Sequence, residues 1–238
     1  MCSSDLRIAL REDADALDPT MAQSYVGRIV FSGLCDKLLD LNEKLEIVPQ
    51  LATKYEWADP VTLILHLRQG VKFHNGEIFD AAAVKFSLER HLTMQSSFRR
   101  SEISTIDHVD IVDPATVKIV LKSPTSPFLA QLTDRSGMIL PPKATEAAGK
   151  DFALKPICTG PFEFVERVAQ DRIVLKKFAD YWDAKNVHFE RVAQLGALLL
   201  VLLLVEQLAL LEFGYRGVAR VDDHVVLEVD DQIGRAHV

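Results

Sequence analysis

The sequence predicts an α/β fold, and three kinds of observation lead there. Runs that alternate apolar and polar residues mark half-buried strands, as in Thr62 to Leu67, where Leu63, Leu65 and Leu67 alternate with Thr62, Ile64 and His66. Apolar residues three and four apart mark a helix with one inward face, as in Ser24 to Leu39 through Val26, Ile29, Val30, Leu34 and Leu38. Turn and cap signals separate such segments: Asn75-Gly76 is a strong turn, and Asp80 is placed to cap a helix from Ala81 to His91 with Val84, Phe86 and Leu88 on its apolar face.

In chain order, Arg7 to Leu10 is a strand and Asp18-Pro19 starts a turn. Asp40 to Glu43 reads as a polar loop, and the Val48-Pro49 step keeps the chain extended. Lys54 to Trp57 precedes the Thr62 to Leu67 strand. Ile106 to Leu121 is a hairpin about Asp113-Pro114-Ala115, its alternating residues being Val109 and Ile111, then Val117, Ile119 and Leu121. Ser126 to Leu132 fits a short helix entered through Pro127, and Thr145 to Gly149 a second one. Phe162 to Arg167 and Arg172 to Lys177 form a further strand pair. After Val192 the character changes: Leu195 to Leu211 is nearly all Leu, Val and Ala, interrupted by Glu206 and Gln207. Its unbroken apolar part ends at Val205, short of the ~20 residues that a membrane span needs.

The composition is that of a globular protein, with 48% hydrophobic and 26% charged residues over 238 positions. A net charge of -7 and the lack of a basic stripe exclude nucleic acid as the main partner. Cys2, Cys35 and Cys158 form no CxxC pair, and three cysteines cannot make a full disulfide framework. Cys35 reads as a core residue on the apolar helix face. The N-terminus lacks a basic region followed by an apolar one, so no secretory signal is expected in this chain. Cys2 to Leu6 and Ile233 to Val238 resemble translated sequencing-adapter oligonucleotides, so residues 1–6 are set aside as an extension.

Several segments in order then point to a family: ALDPT, IVFSGLCDKLLDLN, IVPQLATKYEW, LHLRQGVKFHNGEIFDAAAVKFSLER, VDIVDPATVKIVLKSPTSPFL, PICTGPF and VLKKFADYWD. Together they resemble family 5 of the bacterial extracellular solute-binding proteins, which serve peptide, nickel and related ABC importers. The resemblance runs from Arg7 to about Val192. It implies a type II periplasmic-binding-protein-like α/β fold of which this chain carries the first lobe and a small extra domain only, and so is incomplete. Residues 7–33 would open the main lobe, 34–141 form the small domain and 142–192 return to the main lobe. Residues 193–238 would be a leucine-rich tail foreign to the family, reading as a chimeric join.

The resemblance also implies a site. Gln23, Ser24 and Tyr25, after the LDPT turn, match the stretch that lines the cleft, and Phe98 lies near the position where the family places an aromatic from the small domain. The Cys158-Thr159-Gly160 turn faces the hinge side, with Cys158 where the family pattern has glycine. From the residues alone, Ser24 is equally an ordinary helix cap, and Cys158 a small buried residue with no base beside it to make it a nucleophile. Glu12, Asp13, Asp15 and Asp18 read as solvated loop charge with turn and capping duty, and Trp57 and Trp182 as core anchors at strand ends. His66, His74, His91 and His108 follow no ligand spacing and read as dispersed surface and strand residues.

The implied function is that of the substrate-binding subunit of an ABC importer. It would bind peptides or similar small solutes, hand them to membrane permease subunits, and work as a monomer without a metal, a cofactor or catalysis. The implied setting is the periplasm, or a lipid anchor outside a Gram-positive cell. Within the family, a nickel, haem or other small-solute receptor is the alternative. Outside it, the rivals are a hydrolase, for which no nucleophile–base set is present, and a truncated product without function.

Overall fold

The structure of the chain, a computed structural model, describes residues 5–195, 219–221 and 224–228. The elements run β1 (Asp5–Ala9), α1 (Tyr25–Leu34), β2 (Leu39–Leu41), β3 (Ile47–Pro49), β4 (Ala52–Asp59), β5 (Thr62–Leu67), α2 (Ala81–Thr93), β6 (Ile106–Asp113), β7 (Thr116–Leu121), α3 (Phe128–Gln131), α4 (Pro142–Ala148), β8 (Phe162–Val168), β9 (Arg172–Lys177), β10 (Arg191–Leu195), β11 (Ala219–Val221) and β12 (His224–Glu228). The run from 196 to 211, which dominates the leucine-rich stretch, and residues 1–4 lie outside the described residues.

Pleat and pattern agree in the first sheet, an antiparallel β4-β5-β7-β6. Leu63 lies opposite Ile119 and Leu65 opposite Val117, so the period-two apolar residues of both strands share one face, and all four are buried. The helix α2 covers that face. It starts where Asp80 Oδ1 accepts the Ala83 N–H at 3.0 Å. Gly76, at φ +84°, makes the turn ahead of it in a conformation that side chains rarely adopt. β2 and β3 form a two-stranded ribbon.

The second sheet has the order β11-β12-β1-β10-β9-β8. β1 and β10 pair in parallel, Asp5 to Arg191 through Ala9 to Leu195, and β12 pairs antiparallel to β1 on its other side. Helix α1 is seated on β8 and β9: a Cβ on Gly33 would lie 3.5 Å from Leu175 and 3.6 Å from Phe162.

Two hydrophobic clusters result. One is built from buried residues between Leu38 and Ile139; the other takes Leu10 to Cys35 and then Met138 to Val192. Two chain crossings therefore join them, and the crossings lie side by side: Lys37 bridges Met138, and the Leu38 N–H donates to the Gly137 carbonyl at 2.8 Å.

Several elements depart from the sequence reading. Helix α1 stops at Leu34 rather than Leu39, because Cys35 is extended (φ -131°) and Leu38 belongs to the other cluster. The apolar spacing continues through Leu38, but two different cores satisfy it. The segment read as a loop from Asp40 begins inside β2. Pro127 precedes α3 instead of opening its first turn. Trp57 is 38% exposed and meets buried Phe128 edge-on at 6.5 Å, so it lies over the edge of the first cluster instead of inside it.

Truncating a filled core position leaves a cavity, whereas trimming an exposed apolar residue does not. Phe31 is fully buried and Leu154 is 73% exposed. Urea denaturation should show Phe31→Ala destabilised by about 3–5 kcal/mol, with Leu154→Ala within about 0.5 kcal/mol of the parent.

Candidate functional site

The segment from Asp18 to Tyr25 is held in place by side chains on every flank. The Asp15 carboxylate accepts the N–H groups of Gln23 and Ser24 at 2.6 and 3.2 Å and the Ser24 hydroxyl at 2.9 Å. Burial pushes the Asp15 carboxyl up, but these hydrogen bonds outweigh it and hold the pKa below the usual carboxylate range. Ser24 Oγ then accepts the Gly27 N–H at 3.1 Å and caps α1. The acidic cluster is thus not simply solvated. Asp13 pairs with Arg167 at 2.9 Å, and Asp18 is only 1% exposed.

Asp18 survives burial because Arg90 of α2 forks onto it, with nitrogen–oxygen distances of 2.9 and 2.6 Å. Asp18 also accepts the Thr20 N–H at 2.9 Å. The Thr20 hydroxyl accepts from Arg90 and meets His91 Nδ1 at 2.9 Å. His91 is therefore neither a surface nor a strand residue: it is fully buried in α2, and desolvation pushes its pKa down to about 3.

Two more buried guanidiniums finish the segment. Arg99 and Arg135 each donate to the Ala22 carbonyl at 3.1 Å, and Arg135 also donates to the Ser24 carbonyl at 3.1 Å. The Phe98 N–H donates to the Thr20 carbonyl at 3.0 Å. Phe98 is thereby tied to the same segment as Gln23, Ser24 and Tyr25. Tyr25 and Phe98 stay open, at 57% and 45% exposure, and Gln23 is exposed. Arg28 lies 5.9 Å from the Tyr25 ring and pairs with Asp134 at 2.6 Å. Phe86, expected in the core, is half-buried and lines an open groove of about 370 Å³ with Met94 and Thr145.

Cys158, Thr159 and Gly160 lie elsewhere. They pack at the C-terminal end of α1, whereas Ser24 caps its N-terminus, about 15 Å away by helix rise. All three are buried. Cys158 forms a disulfide with Cys35, with Cα atoms 4.9 Å apart. The reading of Cys158 and Cys35 as two separate small core residues is thereby corrected; 123 residues separate them, so no local pattern announces the pair. Gly160 donates to the Leu34 carbonyl at 3.1 Å, and a Cβ there would fall 2.5 Å from the Leu34 carbonyl carbon. That approach demands glycine.

His74 fastens the same turn from the other unit. Its ring Nδ1 accepts the Cys158 N–H at 3.2 Å, which leaves Nε2 to donate to the Gly160 carbonyl at 3.0 Å. Its backbone N–H donates to the Cys158 carbonyl at 2.9 Å. Burial pushes the imidazole down to about 4, the neutral form that this pattern needs. Next to Cys35, Asp36 accepts from Trp182 Nε1 at 2.7 Å and from the Tyr181 hydroxyl at 3.2 Å. Burial nevertheless pushes the Asp36 carboxyl up to about 7, against those hydrogen bonds. Arg68 stacks over Trp182 at 3.8 Å, and Trp182 packs against the first cluster, as expected of a core anchor. His66 and His108 sit at the surface beside Glu56 and Asp107.

Arg90, Arg99, Arg135 and Asp36 went unnoticed in the sequence, and His74, read there as a surface or strand residue, sits in a turn where it holds the 158–160 backbone. Each is an ordinary surface residue type whose burial depends on a partner far along the chain.

Residues 46–194 match the family described as Bacterial extracellular solute-binding proteins, family 5 Middle. The chain is 34% identical over 184 residues to the glutathione-binding protein GsiB of Salmonella typhi, covering 76% of this chain and 36% of that protein. It is similar to the structure of AgaA from A. tumefaciens R10 in complex with agropinic acid, with a TM-score of 0.76 and 29% identity over 81% of this chain and 39% of that one. The periplasmic binding protein DppA of Helicobacter pylori, in complex with the peptide STSA, gives 0.75 and 25% over 86% and 46%. The chain spans only 36% of the length of the GsiB proteins that it matches. No helix among the described residues is long and apolar enough to cross a membrane.

The buried ionisable groups set a pH dependence. Folding raises the Asp36 pKa to about 7, so the stability it contributes is present in acid and is lost as pH rises from about 4 to 7. His74 is lowered to about 4, so its contribution is full above about 6.5 and is lost as pH falls from there. Asp36→Asn should therefore gain on the parent as pH rises, by on the order of a few kcal/mol between pH 4.5 and 7.5. Urea midpoints at the two pH values check this; an unchanged gap would contradict it. Asp18→Ala strands Arg90 in the interior and should cost about 3–5 kcal/mol in the same assay.

Proposed function

The chain belongs to family 5 of the bacterial extracellular solute-binding proteins, and from this we propose that the whole protein is the substrate-binding subunit of an ABC importer that takes peptides or similar small solutes. The family match carries the reading; the held Asp18–Tyr25 segment is the structural feature consistent with it. Ser24 and Asp15 fix the backbone of that segment, while the Gln23, Tyr25 and Phe98 side chains remain open to a ligand. Backbone rigidity with exposed aromatic rings suits a receptor that accepts varied side chains. Cys158, Thr159 and Gly160 would act from behind, by setting the end of α1, and not by touching the ligand.

In this reading residues 7–33 and 142–192 belong to the first lobe and 34–141 to a small domain. A second lobe, beyond the residues shared with the relatives, closes the cleft by hinge motion. The protein then docks on a membrane permease from the periplasm, or from a lipid anchor. It works as a monomer, and the ligand leaves chemically unchanged.

Half a cleft should bind poorly. Calorimetric titration of this chain with tri- and tetrapeptides should give dissociation constants no tighter than about 1 mM. The same chain completed with the second lobe of a relative should reach the micromolar range. Tyr25→Ala with Phe98→Ala should then weaken binding at least about tenfold, or ~1.4 kcal/mol. A folded, completed receptor that binds no peptide or comparable small solute would overturn the proposal.

A further inference from the structure

The seam between the two clusters carries a covalent bond whose position is informative. Cys35 is the residue directly after α1, where the chain leaves the second cluster for the first. Two residues further on, the outgoing and returning crossings lie against each other at Lys37 and Met138. Cys158 sits in the turn that His74, from the four-stranded unit, grips by three hydrogen bonds. Ile157, next to Cys158, packs against both clusters. The turn at 158–160 is thus a three-way junction of α1, the His74 loop and the strand leading into β8. Both sulfur-bearing residues are within 1% of full burial.

We propose that the Cys35–Cys158 disulfide is a redox-formed clasp: closed, it makes the two packed units one cooperative body, and open, it lets the four-stranded unit come away from α1. The bond forms by thiol–disulfide exchange with an incoming protein or small-molecule disulfide. Both cysteine thiols are oxidised to one S–S bond, and the incoming disulfide is reduced to two thiols that carry off the two protons. The bond closes a loop with a sequence separation of 123, which contains nearly the whole first cluster. A cross-link over so long a loop restricts the unfolded chain strongly. With the bond open, the turn is still held, among the described residues, by hydrogen bonds to His74 and Leu34 and by the packing of Ile157. Those are shared between two cores that each have their own interior.

The test uses the full chain in a Cys2→Ser background, so that only one pair can form. Non-reducing peptide mapping should recover a Cys35–Cys158 cross-linked peptide. Protein refolded from urea with or without a phosphine reductant is then pulse-labelled with deuterium across a urea series. Peptides from β5 and β7 report the first core, and peptides from α1 and β9 report the second. Oxidised protein should show one shared midpoint. Reduced protein, and the Cys35→Ala/Cys158→Ala variant, should show two separated midpoints, the lower one reduced by on the order of 1–2 M urea. The Gly160 amide should lose protection below either midpoint. A shared midpoint without the bond, separate midpoints with it, or no folding at all without it would each overturn the clasp.

Discussion

A carboxylate taken out of water must bring its counter-charge with it, and Asp18 finds that charge in another unit. Arg90 lies on α2, which covers the four-stranded sheet, while Asp18 opens the segment that runs into α1. Breaking this pair leaves an uncompensated charge in the interior. The pair therefore fixes how the two units face each other along this flank. The Thr20–His91 contact is built on that pairing, and Asp15, Arg99 and Arg135 then hold the chain from Ala22 to the Ser24 cap.

The other flank of the seam is built from different chemistry. There a neutral histidine, a disulfide and a buried aspartate meet within a few residues of the crossings at 35–38 and 137–139. Asp36 and His74 are both pushed toward their uncharged forms by burial. Because one is an acid and the other a base, this flank loses stability at both ends of the pH range, by opposite routes.

Family membership places this architecture among the bacterial extracellular solute-binding proteins. The chain spans 36% of a GsiB relative's length, and its exposed residues Tyr25 and Phe98 stand beside a backbone segment fixed by Asp15, Arg99 and Arg135. In the proposed receptor, preorganisation of this sort would reduce the entropy cost of binding.

By itself the sequence determined the local elements and the family. Period-two strands at Thr62–Leu67 and Thr116–Leu121, the Asn75-Gly76 turn and the Asp80 cap are set by residues in contact with their neighbours, so a short window contains the whole cause. The serine cap of α1 was legible for the same reason. Tertiary structure alone decided where α1 ends, that Cys35 meets Cys158, that Asp18 is buried, and that Phe98 joins the Gln23–Tyr25 segment while Cys158–Gly160 stays at the opposite end of the helix. Each of those depends on a partner more than 70 positions away, such as Arg90 for Asp18 or Cys158 for Cys35. A residue's burial is a property of what packs against it, and sequence neighbours do not carry that information.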